Sequence, residues 1–456
     1  MSTSATTLWF DTALLETGWA DRVRLALEGG VIARIECGVA PGPADERGAV
    51  AVPGLPNVHS HAFQRAMAGL AERAGPQADS FWSWRQVMYG FLERLGPEDV
   101  ETIAALAYIE MLECGFTQVA EFHYLHHAPD GAPYANAGEL CARIVAGAET
   151  AGIGLTLLPV LYAHGNFGGA PPQPAQRRFL NDPARFARIL DSAQAAAQAL
   201  DHATVGLALH SLRAVTPAEL DAALALRGQG PIHIHVAEQR REVEECIAWS
   251  GQRPLEWLLE HAPIDERWCL IHATHATEAE LRAAAGRGCV IGLCPLTEAN
   301  LGDGAFHGRV YLGAGGRIGI GTDSNVLIDA AEELRTLEYS QRLATEERNV
   351  LGGAPGSSTG RTLFEAALRG GGRALGGEPV RLAAGADADI VSLEAEHPAL
   401  AGRRGDELLD AWIFAARAPV VSAVWRRGRR VVTHGAHIAR AAVASRYRTL
   451  MRKYLR

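Results

Sequence analysis

Apolar positions along this chain follow two alternating rhythms. From about residue 50 to about residue 375, short apolar runs recur between longer stretches rich in Ala, Leu and Glu with helical spacing. The runs predict strands over 50–57, 117–122, 155–162, 205–211, 232–237, 269–274, 290–294 and 318–323. The intervening pattern predicts helices, clearest over 97–114, 182–200, 217–227 and 277–287. Eight strand-then-helix units predict an α/β fold, a (β/α)8 TIM-type barrel. The flanks read differently. Residues 7–11, 23–28, 31–36, 388–393 and 419–425 are strand-like. They predict a small β-sandwich domain assembled from both chain ends, 1–50 and 376–435, with the barrel over 51–375. Residues 436–456 complete the chain, and 438–455 read as a basic helix. Two loops, 163–175 and 352–360, are rich in Gly and Pro. The first follows the third barrel strand, where it either covers a site or forms plain surface.

Composition narrows the class. The chain has 456 residues, 48% hydrophobic and 21% charged, enough for a large barrel and a smaller domain. No apolar run is long enough to span a bilayer, and residues 1–7 lack the basic-then-apolar pattern of a signal peptide. The seven cysteines are scattered, without a Cys-x-x-Cys pair, as reduced thiols of a cytoplasmic protein would be. A net charge of -9 argues against nucleic acid as a partner and requires any anionic substrate to meet a locally basic pocket.

The chemistry sits where barrel enzymes carry it, at the C-terminal ends of the strands. His59 and His61 are two apart at the end of the first run, so their side chains share a face. His235 closes the fifth run, nearer the rim than His233, which reads as a packed barrel-interior histidine. Asp323 ends the eighth. Three imidazoles and a carboxylate from four strand ends suit Zn2+, with Fe2+ as the other candidate. The only lysine is Lys453, near the C-terminus, so no barrel lysine can bridge a metal pair and one metal is expected. Asp323 is also placed to take the proton of an attacking water. Glu238, three residues past His235, could protonate a substrate nitrogen, or could be an ordinary glutamate at a helix start. His272, ending the sixth run, could polarise the water, or could be a buried histidine bonded to a carbonyl.

The ordered set of Pro53 to His61, His235 to Glu238, His272 and Gly321 to Ser324 resembles the amidohydrolase superfamily, and best its mononuclear deaminase branch. Five further stretches resemble the formimidoylglutamate deiminases more closely: residues 61–66, 81–85, 121–124, 210–214 and 294–304. The resemblance spans nearly the whole chain. It implies a hydrolase of carbon–nitrogen bonds other than peptide bonds. That enzyme would turn N-formimino-L-glutamate into N-formyl-L-glutamate and ammonia in histidine degradation. It also implies a homodimer, and a substrate site built from Gln64, Arg85, Tyr124, His210 and Arg213. Arg85 and Arg213 are guanidinium forks suited to a dicarboxylate, although Arg85 could equally be in a surface ion pair. Two other readings remain. One is a deaminase of a heterocyclic amine such as guanine, cytosine or an adenosine derivative, which Trp82 and Trp84 could stack upon. The other is a non-catalytic scaffold barrel, which would not be expected to keep this ligand set.

Overall fold

The computed structural model describes residues 6–75, 80–226, 228–417 and 419–454. Eight parallel strands close on themselves in chain order: Leu55–Ser60, Phe116–His123, Gly154–Leu161, Thr204–Val205 with Leu207–Leu209, Ile232–Val236, Trp268–His272, Val290–Leu293 and Arg317–Ile320. Closure is made where Ile320 pairs with Asn57. Strands covered on both faces need apolar side chains throughout, and six of these elements are buried at every position. The helices start where their sequences say they should. Pro183–Ala197 and Pro217–Ala225 each carry proline in the first turn, and the Asp182 and Thr216 side chains accept from Arg185 N and Glu219 N. Arg227 and Leu455, which end two expected helices, lie outside the described residues, as do residues 1–5 of the N-terminus.

The apolar run 50–57, read from sequence as one barrel strand, is two strands in two sheets. Glu46–Pro53 pairs with Thr6–Leu15 and with Ile390–Leu393, whereas Leu55–Ser60 opens the barrel. The chain changes sheets at Gly54, whose N–H donates to Asp389 O at 3.0 Å. A Cβ there would meet the Thr117 side chain at 2.2 Å, so only glycine lets the two sheets meet. The run is apolar throughout because both strands are buried, and periodicity cannot mark a change of partner.

The second sheet takes its eight strands from both chain ends, in the order Ala436–His437, Arg429–Thr433, Val421–Arg426, Ile390–Leu393, Glu46–Pro53, Thr6–Leu15, Gly18–Glu28 and Val31–Glu36. It curls back on itself: Ile32 N–H donates to Ala386 O at 2.8 Å and Ala388 N–H to Gly30 O at 2.9 Å. The halves enclose one core that includes Leu8, Phe10, Leu25, Ile390 and Trp425, with Phe10 edge-on to Trp425 at 5.8 Å. The sandwich is thus one folded sheet. It runs to His437, and the terminal helix is Arg440–Tyr454.

The stretch between the first strand and the helix Pro97–Glu113 covers the C-terminal mouth of the barrel. It forms a 3-10 turn, Ala62–Met67, and a helix, Phe81–Leu92. Loop 163–175 packs to the side instead, with Phe167 stacked on Trp249 at 5.5 Å. Among the described residues no helix is long and apolar enough to cross a membrane.

Candidate active site

Barrel closure assembles the site. The last strand lies against the first closely enough that Asp323 N–H donates to His59 O at 2.9 Å and His61 N–H donates to Asp323 O at 2.8 Å. A Cβ on Gly321 would meet the His59 backbone at 2.8 Å, so glycine is required for this approach. A buried polar net fixes the seam. Asn57 Nδ2 donates to Thr322 Oγ1 at 2.7 Å, Thr322 Oγ1 donates to Asn325 Oδ1 at 2.7 Å, and Asn325 Nδ2 donates to Ser60 Oγ at 3.1 Å. Sequence reading missed this net. Its only trace is that Asn57, Ser60, Thr322 and Asn325 flank the ligand positions.

The four candidate ligands converge. His61 Nε2 lies 3.2 Å and His59 Nε2 3.5 Å from Asp323 Oδ1, and His235 Nε2 lies 3.1 Å from His59 Nε2. Donor atoms about 2.1 Å from a tetrahedral ion stand roughly 3.3 Å apart, so the spacing fits one small divalent cation. The tautomers agree. His61 Nδ1–H donates to Phe122 O and His235 Nδ1–H to His210 O, both at 2.8 Å, which leaves each Nε2 with a lone pair turned inward. Burial pushes the His59, His61 and His235 imidazoles down, and their mutual repulsion adds to this for His59 and His235. Neutral imidazoles facing one carboxylate are a metal-ligand arrangement. His233 is elsewhere, donating Nε2–H to Ala374 O at 2.7 Å.

Beside the ligands stand the acid–base groups. His272 Nε2 is 3.7 Å from Asp323 Oδ2 and 3.9 Å from Glu238 Oε1. Its Nδ1 meets Glu298 Oε1 at 3.2 Å, and that oxygen also accepts Cys294 N–H at 2.9 Å. Burial opposes charge on His272, but Glu238, Glu298 and Asp323 outweigh it and raise the imidazole to about 10. Burial raises the Glu238 carboxyl to about 7, with Asp323 adding to the rise and His272 working against it. Glu238 precedes the helix Arg240–Ser250 but is not its cap, a position held by Gln239, and its N–H donates to Glu242 Oε2 at 3.0 Å. Ala237, His272, Ala273 and Asp323 all have positive φ, from 43° to 71°. Backbone strain of about 1–3 kcal/mol at each is concentrated where the strands deliver these side chains. Glu298 was another residue that sequence reading left without a role.

Gln64, Arg85, Tyr124, His210 and Arg213 all line the same pocket as His61, His235, Glu238, His272 and Asp323. Gln64 Nε2 donates to Tyr124 OH at 2.8 Å, while Gln64 Oε1 is buried without a partner. Burial, followed by the charges of Arg213 and Arg85, pushes the His210 imidazole well down. Arg213 is buried and its Nε has no hydrogen-bond partner; its guanidinium lies over the Phe81 and Trp82 rings at 5.9 and 5.6 Å. Arg85 reaches the pocket from the covering helix and hydrogen-bonds the Tyr89 and Tyr162 hydroxyls. Among the described residues neither arginine makes an ion pair, so the surface-pair reading of Arg85 does not apply. Met88, Tyr89, Tyr162 and Phe179 complete the wall and carried no sequence signal.

Comparison with known proteins agrees with this architecture. A model of the amidohydrolase family matches residues 50–431, and one of the N-terminal domain of the formimidoylglutamate deiminase HutF matches residues 6–49. The chain is 50% identical to a formimidoylglutamate deiminase of Pseudomonas aeruginosa over 432 residues, 94% of this chain and 95% of that protein. It is 30% identical to a 5-methylthioadenosine/S-adenosylhomocysteine deaminase of Natronomonas pharaonis, over 77% of this chain and 75% of that one. A crystal structure of an amidohydrolase from Brucella melitensis superposes with a TM-score of 0.96 at 53% identity, covering 99% and 100% of the two chains. The barrel, the candidate ligands at its strand ends and these matches together mean that this chain belongs to the amidohydrolase family.

Proposed function

We propose that the chain hydrolyses N-formimino-L-glutamate to N-formyl-L-glutamate and ammonia, the deimination step of histidine degradation. One observation carries the substrate class. Two guanidinium groups, Arg85 and Arg213, face the metal-ligand pocket without a carboxylate partner. Arg213 is buried with its Nε unpartnered and Arg85 is half-buried with only tyrosine hydroxyls for partners; an uncompensated guanidinium is costly, and a dicarboxylate substrate supplies the missing anions. The 50% identical relative bears the name of this activity, and the N-terminal match is to the same enzyme. A ring amine is less well served. The Trp82 ring is already covered by Arg85, Arg213 and Arg241, at 5.6, 5.6 and 4.5 Å, and Trp84, the tryptophan that lines the pocket, is stacked on Phe81 at 6.1 Å.

His59, His61, His235 and Asp323 would hold the metal, Zn2+ or Fe2+, one per subunit. When bound, that ion acidifies a water and polarises the carbon–nitrogen double bond. Asp323 takes the proton released by the attacking water. His272, oriented through Nδ1 by Glu298, faces the carbon as it becomes tetrahedral and steadies the charge that develops there. Glu238, holding its proton to near neutral pH, delivers it to the imino nitrogen as the water adds; as the intermediate collapses, the proton on Asp323 passes to that nitrogen, the hydroxyl proton returns to Glu238, and ammonia leaves. Gln64 Oε1 is free to accept from the imino head, with Tyr124 and His210 beside it. Arg213 and Arg85 hold the carboxylates. The same reading makes the protein a cytoplasmic homodimer. Ammonia release from N-formimino-L-glutamate by Zn2+-loaded protein, with N-formyl-L-glutamate identified by mass, is the expected result. No turnover by metal-replete protein refutes the substrate.

A further inference from the structure

Arg85 sits on the covering helix, yet what aims it comes from elsewhere in the fold. Tyr162 immediately follows the third barrel strand, and its hydroxyl accepts from Arg85 Nη2 at 3.4 Å and from Gln176 Nε2 at 2.6 Å. Gln176 is fully buried, and its Oε1 accepts Gln173 N–H at 2.6 Å. That second contact fixes which end of the amide faces Tyr162, because only the NH2 end can donate there. A buried, oriented amide therefore holds a buried hydroxyl, which in turn accepts from a guanidinium whose Nε is taken by Tyr89 OH. The chain Gln176–Tyr162–Arg85 ties the segment after the third strand to the covering helix. With Nε and one Nη2 proton engaged, Arg85 keeps three guanidinium protons for an anion in the pocket that it lines. The Tyr162 ring also lies 4.4 Å from the His210 ring, so its position is fixed from two sides.

We propose that Tyr162 and Gln176 are positioning residues that aim Arg85 at a substrate carboxylate, so that the Gly- and Pro-rich segment ending at Gln176 tunes anion affinity without touching substrate. This inference rests on the carboxylate-binding reading of Arg85. Gln176 lies outside the pocket lining, and neither residue contacts a metal-ligand candidate through a hydrogen bond.

The test uses glutarate, a dicarboxylate without a reactive head, titrated calorimetrically into the full-length Zn2+-loaded protein. Tyr162→Phe, and separately Gln176→Leu, should each raise the glutarate Kd about tenfold, the size of one charge-assisted hydrogen bond. In an Arg85→Ala background the same substitutions should leave Kd within about twofold, because their effect passes through Arg85. Two variants guard against one misfolding, and thermal melts of both check that the fold survives. Equal weakening with and without Arg85, or no weakening at all, overturns the inference. Glutarate failing to bind the unsubstituted protein overturns it together with the anion-site reading. Ammonia release from N-formimino-L-glutamate judges the head chemistry separately.

Discussion

On the proposed reading single side chains carry the chemistry, and their tasks are separable by substitution. Glu238→Gln keeps the volume and removes the proton. General acid catalysis contributes about 10²–10⁴-fold, so kcat should fall by at least about a hundredfold while metal content by elemental analysis stays at one per chain. Retained turnover would show that the nitrogen is protonated by another group. Arg213→Gln should act on binding. A charge-assisted pair is worth about 1.5–3 kcal/mol, so KM should rise roughly tenfold to a hundredfold. A KM unchanged in steady-state assays would detach Arg213 from the substrate. These candidate residues were legible in the sequence because they stand at the ends of apolar runs: His59 and His61 follow the first, and His235, His272 and Asp323 close three others. Glu298, Tyr162 and Met88 were not. Their positions follow from how a short helix, a turn and a loop pack over the barrel mouth, and no local spacing records that.

Elements decide how accurately those side chains meet. The first and last strands must touch, and Gly321 permits it by having no Cβ where the His59 backbone passes at 2.8 Å. Gly321→Ala should push the strands apart, lower the midpoint of thermal unfolding and cut bound metal below one per chain. A variant with full metal occupancy would mean the seam has slack. Strand identity was readable because buried parallel strands are apolar throughout. The same uniformity hid the change of sheets at Gly54, where two strands with different partners read as one run. Which element covers the site stayed open in the sequence for a related reason. The Gly and Pro content of 163–175 marks a loop but not the direction it takes, whereas the amphipathic stretch Phe81–Leu92 supplies the roof.

At the scale of the molecule, stability is expected to depend on the bound ion and on pH. Removing the ion with a chelator should lower the unfolding midpoint, because a ligand at a thousand times its Kd adds about 4 kcal/mol to the folded state. The acid response comes from histidines buried neutral. Burial lowers His233 to about 4 and His123 to about 3. Below about pH 6.5 the unfolded chain takes up protons that the folded one refuses, so stability falls with pH and His233 alone contributes about 3 kcal/mol of that loss by pH 4. Urea melts at pH 7 and pH 5 should show the lower midpoint at pH 5; equal midpoints would mean these histidines find protons in the fold. The fold class was legible because eight strand-then-helix units admit few topologies, and the joined ends because both flanks were strand-like and too short to stand alone. The proposed function joins one metal site to a dicarboxylate clamp. The most direct test compares ammonia release by the Zn2+-loaded protein from N-formimino-L-glutamate with release from 5-methylthioadenosine, guanine and cytosine. Turnover of the formimino acid alone is predicted; deamination of a ring amine with no activity on the formimino acid would contradict the account.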